Sequence, residues 1–298
     1  MGTGIVSVAL SLDGLETLSR ILLAICAAAW VVLVALLLVR LTRDRERVER
    51  EARSPSALTG VAATEVLGSR LTLLGWHWAG IAALVIALAL WLVLIGPVLT
   101  HWTIPTVGVS FMLAVATESL AVLSATVAAH EHARWLLHAA LVPFAVGLCF
   151  YGFVLARFDT RQIGRGRGDH WIAGGALAIS TLAAGRLTDG ARALAILGNG
   201  GGVLEGLAVG LWVLTMLWLP LLLVAELLRP RLSYDLRRWS TVFPVGMYAA
   251  CSFVVGAAAH AGAITSFARV WAWVALAVWA VVFVGLIRRT SELAADRP

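Results

Sequence analysis

Ten apolar runs take up most of this 298-residue chain, and several are too long to be buried helices of a soluble protein. They fall at about 1–12, 17–39, 55–73, 76–98, 104–128, 133–156, 171–187, 203–227, 241–262 and 269–287. Charged residues make up 13% of the chain and hydrophobic ones 60%. An ordinary soluble domain carries about twice that charge. Lipid is therefore the solvent for most of the surface, and a chain crossing lipid satisfies its backbone internally, as helices do. The expected fold is a single all-α integral membrane domain over residues 1–298, with about ten transmembrane helices. The runs at 55–73 and 171–187 are rich in Ser, Thr and Gly, and are assigned because their neighbouring loops require a crossing there. The first run is short. Twelve residues rise roughly 18 Å against a hydrocarbon core of about 30 Å. Helix one is expected to be partial, or to be completed by roughly ten to fifteen apolar residues upstream of Met1.

All 23 basic residues are arginine, and the net charge is +6. Their placement argues against nucleic acid as a partner, because most sit in connections between apolar runs. Seventeen follow even-numbered runs, in connections at 40–53, 157–167 and 229–238 and in the tail after 287; six lie on the other side. The arginine-rich side of a membrane protein faces the cytoplasm. Both termini are thus expected in the cytoplasm, in a multi-pass protein of the inner (plasma) membrane. Cys26, Cys149 and Cys251 lie inside apolar runs without metal-ligand spacing, as small core residues do.

Composition alternates along the runs. Residues 21–39, 81–95 and 270–284 contain no Gly, Ser, Thr or Pro. Odd-numbered runs instead carry stripes of small and hydroxyl residues. Run five has Thr106, Ser110, Ala114, Thr117, Ala121 and Ser124; run seven has Gly174, Ala178, Thr181 and Gly185. Run three has Gly60, Thr64 and Gly68, and run one Thr3, Ser7 and Ser11. This reads as five helical hairpins, even helices outside against lipid and odd helices inside, where small residues pack closely or line a central pore.

Few residues could carry chemistry. Glu65 and Glu118 lie inside runs three and five, where an ionised carboxylate costs about 2.5–3.5 kcal/mol. Each must face the bundle interior, as a gate, a proton-coupling or ion-pair site, or a packing residue. Arg70 is a candidate partner for Glu65, at a poor helical spacing. The His130–Glu131–His132 cluster does not put two metal ligands on one helical face, so no metal is expected. His138 and His260 lie in apolar runs, as core or pathway residues or as the ligands of a haem. The glycine-rich loops at 164–168 and 198–202 follow no strand and lack the lysine of a phosphate-binding loop. No nucleophile–base set is present, so neither an enzyme nor a bound cofactor is expected. Pro244 interrupts run nine, and Phe243 precedes it, with Gly246 and Ala250 on the same face leaving space for a ring to swing. Phe243 either plugs a narrow pore or packs against helix ten.

Four stretches carry a resemblance over essentially the whole chain: MGTGIVS (1–7), ATESLAVLSA (116–125), DHWIAGGALAIS (169–180) and WSTVFPVGMYA (239–249). The chain resembles the tellurite-resistance and dicarboxylate transporter family, which includes malate permeases, sulfite efflux pumps and slow-type anion channels. The resemblance implies ten helices in five hairpins, odd helices ringing a pore, a pore-occluding phenylalanine at Phe243 and frequently a trimer. It implies passage of small anions such as malate, sulfite, tellurite or a chloride-like ion. Family members carry residues ahead of the MGTG stretch that complete helix one. Pore-lining candidates are Thr64, Glu65, Ser110, Thr117, Glu118, Gly174, Thr181, Pro244 and Gly246. The competing reading is an intramembrane redox protein with haem on His138 and His260, which a Soret band would reveal. The arginine split generates a direct test: cysteine-accessibility labelling should find the two termini on the same face of the membrane, and opposite faces would refute the orientation.

Overall fold

The computed structural model describes residues 1–165, 168–196, 201–230 and 234–295. Parts of the two glycine-rich loops, 166–167 and 197–200, lie outside them. The described residues form eleven α-helices: α1 (Gly2–Leu12), α2 (Glu16–Arg43), α3 (Arg45–Glu51), α4 (Thr59–Leu73), α5 (His77–Thr100), α6 (Met112–His130), α7 (Arg134–Leu155), α8 (Trp171–Ala193), α9 (Gly201–Leu228), α10 (Trp239–Ala258) and α11 (Gly262–Ala295). All except the short polar α3 match the ten apolar runs. Seven helical segments are long and apolar enough to cross a membrane: α2, α5, α7, α9 and α11, together with α6 and α10 extended by the turns that precede them. The others are α1, which has 11 residues, α4, which has 15, and α8, whose last turns carry Arg186, Asp189 and Arg192.

Burial alternates in step with composition. The most apolar stretch of α6 is wholly buried and that of α10 is 94% buried, against 17% for α2 and α5 and 22% for α11. The buried helices α1, α4, α6, α8 and α10 close into a ring: α1 touches α4, α4 touches α6, α6 touches α8, α8 touches α10, and α10 returns to α1. Each also packs against the exposed helix that follows it in sequence. Glycine sets the spacing of the ring. A Cβ on Gly4 would come within 2.8 Å of Val66, one on Gly185 within 2.6 Å of Val254, and one on Gly246 within 2.7 Å of Ile5. Without side chains at these points the backbones approach closely enough for dispersion to hold them where lipid supplies no hydrophobic driving force.

One turn recurs five times. At the end of each buried helix an amide reaches back to the carbonyl five residues earlier: Leu15 to Leu10, Trp76 to Leu71, Ala133 to Ala128, Ile196 to Ala191 and Ala261 to Gly256, at 2.9–3.1 Å. The residue before each donor has positive φ: Gly14, Gly75, His132, Ala195 and His260. This is the Schellman cap, which satisfies the last carbonyls of a helix and reverses the chain. The connections at the other end are longer and hold most of the arginines. In one of them Thr106 leaves the helical stripe expected of it. Its amide bonds Arg157 O at 3.1 Å, its hydroxyl bonds Val154 O at 2.8 Å, and regular α-helix starts only at Met112.

Open space around Gly14 and Gly75 isolates the backbone effect. Gly14→Ala and Gly75→Ala should each lower stability by about 1 kcal/mol, because alanine resists the left-handed region. Gly96→Ala, at a helical glycine in equally open space, should raise stability by roughly 0.5–1 kcal/mol. Thermal denaturation of the purified protein checks the opposite signs.

Candidate functional site

All five ring helices contribute to one internal cavity. Its walls include Ile5 of α1, Glu65 of α4, Ser119 of α6, Ile179 and Arg186 of α8, and Met247 of α10. The volume open to the centre of a water molecule is about 20 Å³, room for one water and nothing larger. Glu65 is 1% exposed, and neither of its carboxyl oxygens has a hydrogen-bond partner among the described residues. The nearby Ser119 hydroxyl instead donates to Ala116 O at 3.1 Å. Arg186 occupies the end of the cavity nearer the Schellman turns, 3.9 Å from Asp189. The cavity thus joins a buried acid and a guanidinium in a wall that is apolar apart from Ser69 and Ser119.

Glu118 occupies a different niche, fully buried between α6, α7 and α8. Ser180 Oγ donates to its Oε1 at 2.9 Å, and Oε2 has no partner among the described residues. Gly147 of α7 makes the room: an added Cβ there would lie 2.5 Å from Glu118 Cγ. Arg70 does not meet Glu65. Its buried guanidinium turns to α2, donating to both carboxyl oxygens of Glu16 at 2.8 Å and to Ser19 Oγ at 2.8 Å. Ser19 and Ser7 in turn exchange hydroxyl-to-carbonyl bonds at 2.7 Å. Five residues along a helix point Glu65 and Arg70 to opposite sides, so only one of them reaches the ring interior.

The hydroxyl stripes serve the contact between the two layers. Thr64 accepts from Trp30 Nε1 of α2, Thr117 from Trp91 of α5, Ser252 from Trp212 of α9 and Thr3 from Trp279 of α11, at 2.8–3.0 Å. In each case an exposed helix clamps the next buried helix around the ring, and α11 closes the cycle onto α1. At the α7–α8 junction the pattern changes: Thr181 pairs with Thr215 of α9 at 2.9 Å, and Trp218 of α9 bonds Tyr151 of α7 at 3.0 Å. Ser110 sits in a short 3-10 turn before α6 and accepts from Val107 N at 3.1 Å.

Phe243 is 1% exposed and one helical turn from Met247 on the same face of α10, which puts it below the cavity on the arginine-rich side. The space expected beside it is filled. Ile5 and Val6 of α1 occupy the hollow of Gly246, and the Pro244 ring packs on Gly175, 2.9 Å from where a Cβ would stand. Gly174 admits the Tyr248 hydroxyl and Leu222. His138 and His260 are exposed rather than buried between helices, His260 because it forms a Schellman turn. The His130 ring contacts His77 at 5.5 Å, and His77 Nδ1 lies 3.5 Å from Glu131.

Sequence reasoning missed Arg186, Ser119 and the tryptophan clamps. Arg186 lies inside run seven and could have been read as an intramembrane charge, as Glu65 was. The four indoles are single residues in apolar runs, without a sequence signal of their partners.

The family model described as SLAC1, voltage-dependent anion channel, matches residues 1–287. Two curated relatives, both described as uncharacterized membrane proteins of Mycobacterium tuberculosis, are 36% identical over 128 residues. That stretch is 41% of this chain and 64% of theirs, so the chain spans less than two thirds of the relatives' length. No solved structure matches. The chain belongs to the voltage-dependent anion channel family, which is the tellurite-resistance and dicarboxylate transporter family that its four motifs resemble.

Proposed function

We propose that the five buried helices ring a pore for small anions, and that the structure is its closed state. The observation that carries this reading is the cavity to which all five contribute, with Arg186 toward one end. A guanidinium in a low-dielectric wall attracts an anion, and field strength rather than a specific ligand set governs such a path. Phe243, one turn beyond Met247, is the proposed gate: a large apolar ring in a narrow passage blocks ions by excluding water. Because Gly246 is filled by α1, opening requires α1 and α10 to part rather than the ring to swing alone. Malate, sulfite, tellurite and chloride are the candidate ions. We place both termini in the cytoplasm, the protein in the inner membrane, and the assembly as a homo-oligomer, most simply a trimer.

Flux in proteoliposomes across chloride, sulfite, malate and tellurite, with and without a pH gradient, tests the reading. No flux of any of these would overturn it. Phe243→Ala should raise basal anion flux in a protein that remains folded. Unchanged or reduced flux in a folded variant would mean that the ring only packs, a role whose loss costs about 3–5 kcal/mol.

The two glutamates separate in the same assay. An anionic Glu65 on the cavity opposes an anion, so Glu65→Gln should flatten the pH dependence of flux. Glu118→Gln, outside the cavity lining and bonded to Ser180, should leave that dependence in place. The reverse pattern would move the pathway to the α6–α7–α8 niche.

A further inference from the structure

Two adjoining hollows lie on the outside of the molecule along α11, the larger against the α9–α10 connection and the smaller against α9 and α10, sharing Arg238, Val281 and Val282 in their walls. The larger, about 830 Å³, lies where α11 leaves its apolar stretch, and its polar wall is Tyr234, Arg238, Arg288, Arg289 and Glu292. The smaller, about 350 Å³, is apolar apart from Glu226, Arg238 and Thr241, and runs along Leu223, Val245, Val274 and Val278. The upper wall is built rather than incidental. The Tyr234 ring packs on Gly285, 2.6 Å from where a Cβ would stand, and Trp239 Nε1 donates to the Tyr234 hydroxyl at 3.3 Å.

Charge and depth specify an occupant. Three guanidiniums face two carboxylates, Glu226 and Glu292; Arg289 reaches Glu292 at 3.2 Å, while Arg288 is exposed at the mouth. The surplus is positive, and the arginine fork matches phosphate oxygens. From Val282 to Val274 the groove descends about 12 Å, close to the roughly 15 Å of one leaflet. An apolar trough of leaflet depth under a basic mouth is shaped for a lipid with a negative headgroup. We propose that this hollow along α11 binds one anionic phospholipid, its phosphate on the exposed Arg288 and an acyl chain in the groove below. This site is independent of what the ring conducts.

Native mass spectrometry of the detergent-purified protein tests it, with phosphatidylglycerol, phosphatidylcholine and inorganic phosphate as separate probes. Wild type should retain phosphatidylglycerol at least about tenfold more strongly than phosphatidylcholine, and should not exchange it for inorganic phosphate. Arg288→Gln/Arg289→Gln should bring retention down to the phosphatidylcholine level, with Arg45→Gln/Arg47→Gln on exposed α3 as the control. Val278→Trp should weaken phosphatidylglycerol by filling the groove while both arginines remain. Should the double variant fail to fold, Arg288→Gln alone should give a smaller loss in the same direction. Equal retention of the two lipids, displacement by inorganic phosphate, unchanged retention in folded arginine variants, or a second copy of the chain in the groove would overturn the proposal.

Discussion

Inside a bilayer every polar group on a helix must find its partner within the protein, and the rest of this architecture depends on how that is met. The hydroxyls that make the buried helices slim also have to be satisfied. Thr64 and Thr117 donate to the carbonyls four residues back, Gly60 and Leu113, and use their remaining lone pairs to accept an indole from the outer layer. One small side chain thereby serves both close packing and attachment. Each such bond is worth only about 0.6 kcal/mol within a membrane protein, so the set confers register more than strength.

The division into layers was legible because it is a bulk property. Runs such as 21–39 and 81–95 are wholly apolar and lack Gly, Ser, Thr and Pro, and they became α2 and α5, the least buried of the seven segments long and apolar enough to cross a membrane. The target of each hydroxyl was not legible. A stripe of Thr and Gly reads the same whether it meets a cavity, a neighbouring backbone or an indole, and the partner lies tens to hundreds of residues away. Trp279 and Thr3 are 276 residues apart. Glu65 and Glu118 looked equivalent for the same reason, yet only Glu65 reaches the shared cavity. The repeated turn was hidden too: only Gly14 and Gly75 use the residue that announces it, while His132, Ala195 and His260 adopt the same conformation without that signal.

Charge is distributed by two rules at once. Most arginines gather in the long connections at one end, where they set orientation. Arg70 and Arg186 are enclosed instead, and they differ from each other. Arg70 is neutralised by Glu16 and ties α4 to α2 beside the ring, whereas Arg186 has, among the described residues, the more distant Asp189 and also lines the cavity.

The ring has a seam where α1 meets α10 and α11. Among the eleven described helices α1 is made first and α10 and α11 last, so the cycle of contacts stays incomplete until those two are inserted. A partly made chain is an open arc of buried helices, of which α4, α6 and α10 are each clamped by the outer helix that precedes it. The ring closes when α10 meets α1, and α11, whose Trp279 reaches back to Thr3, then clamps that joint from outside. The order of synthesis thus leaves the last joint of the ring unclamped until α11 is in place.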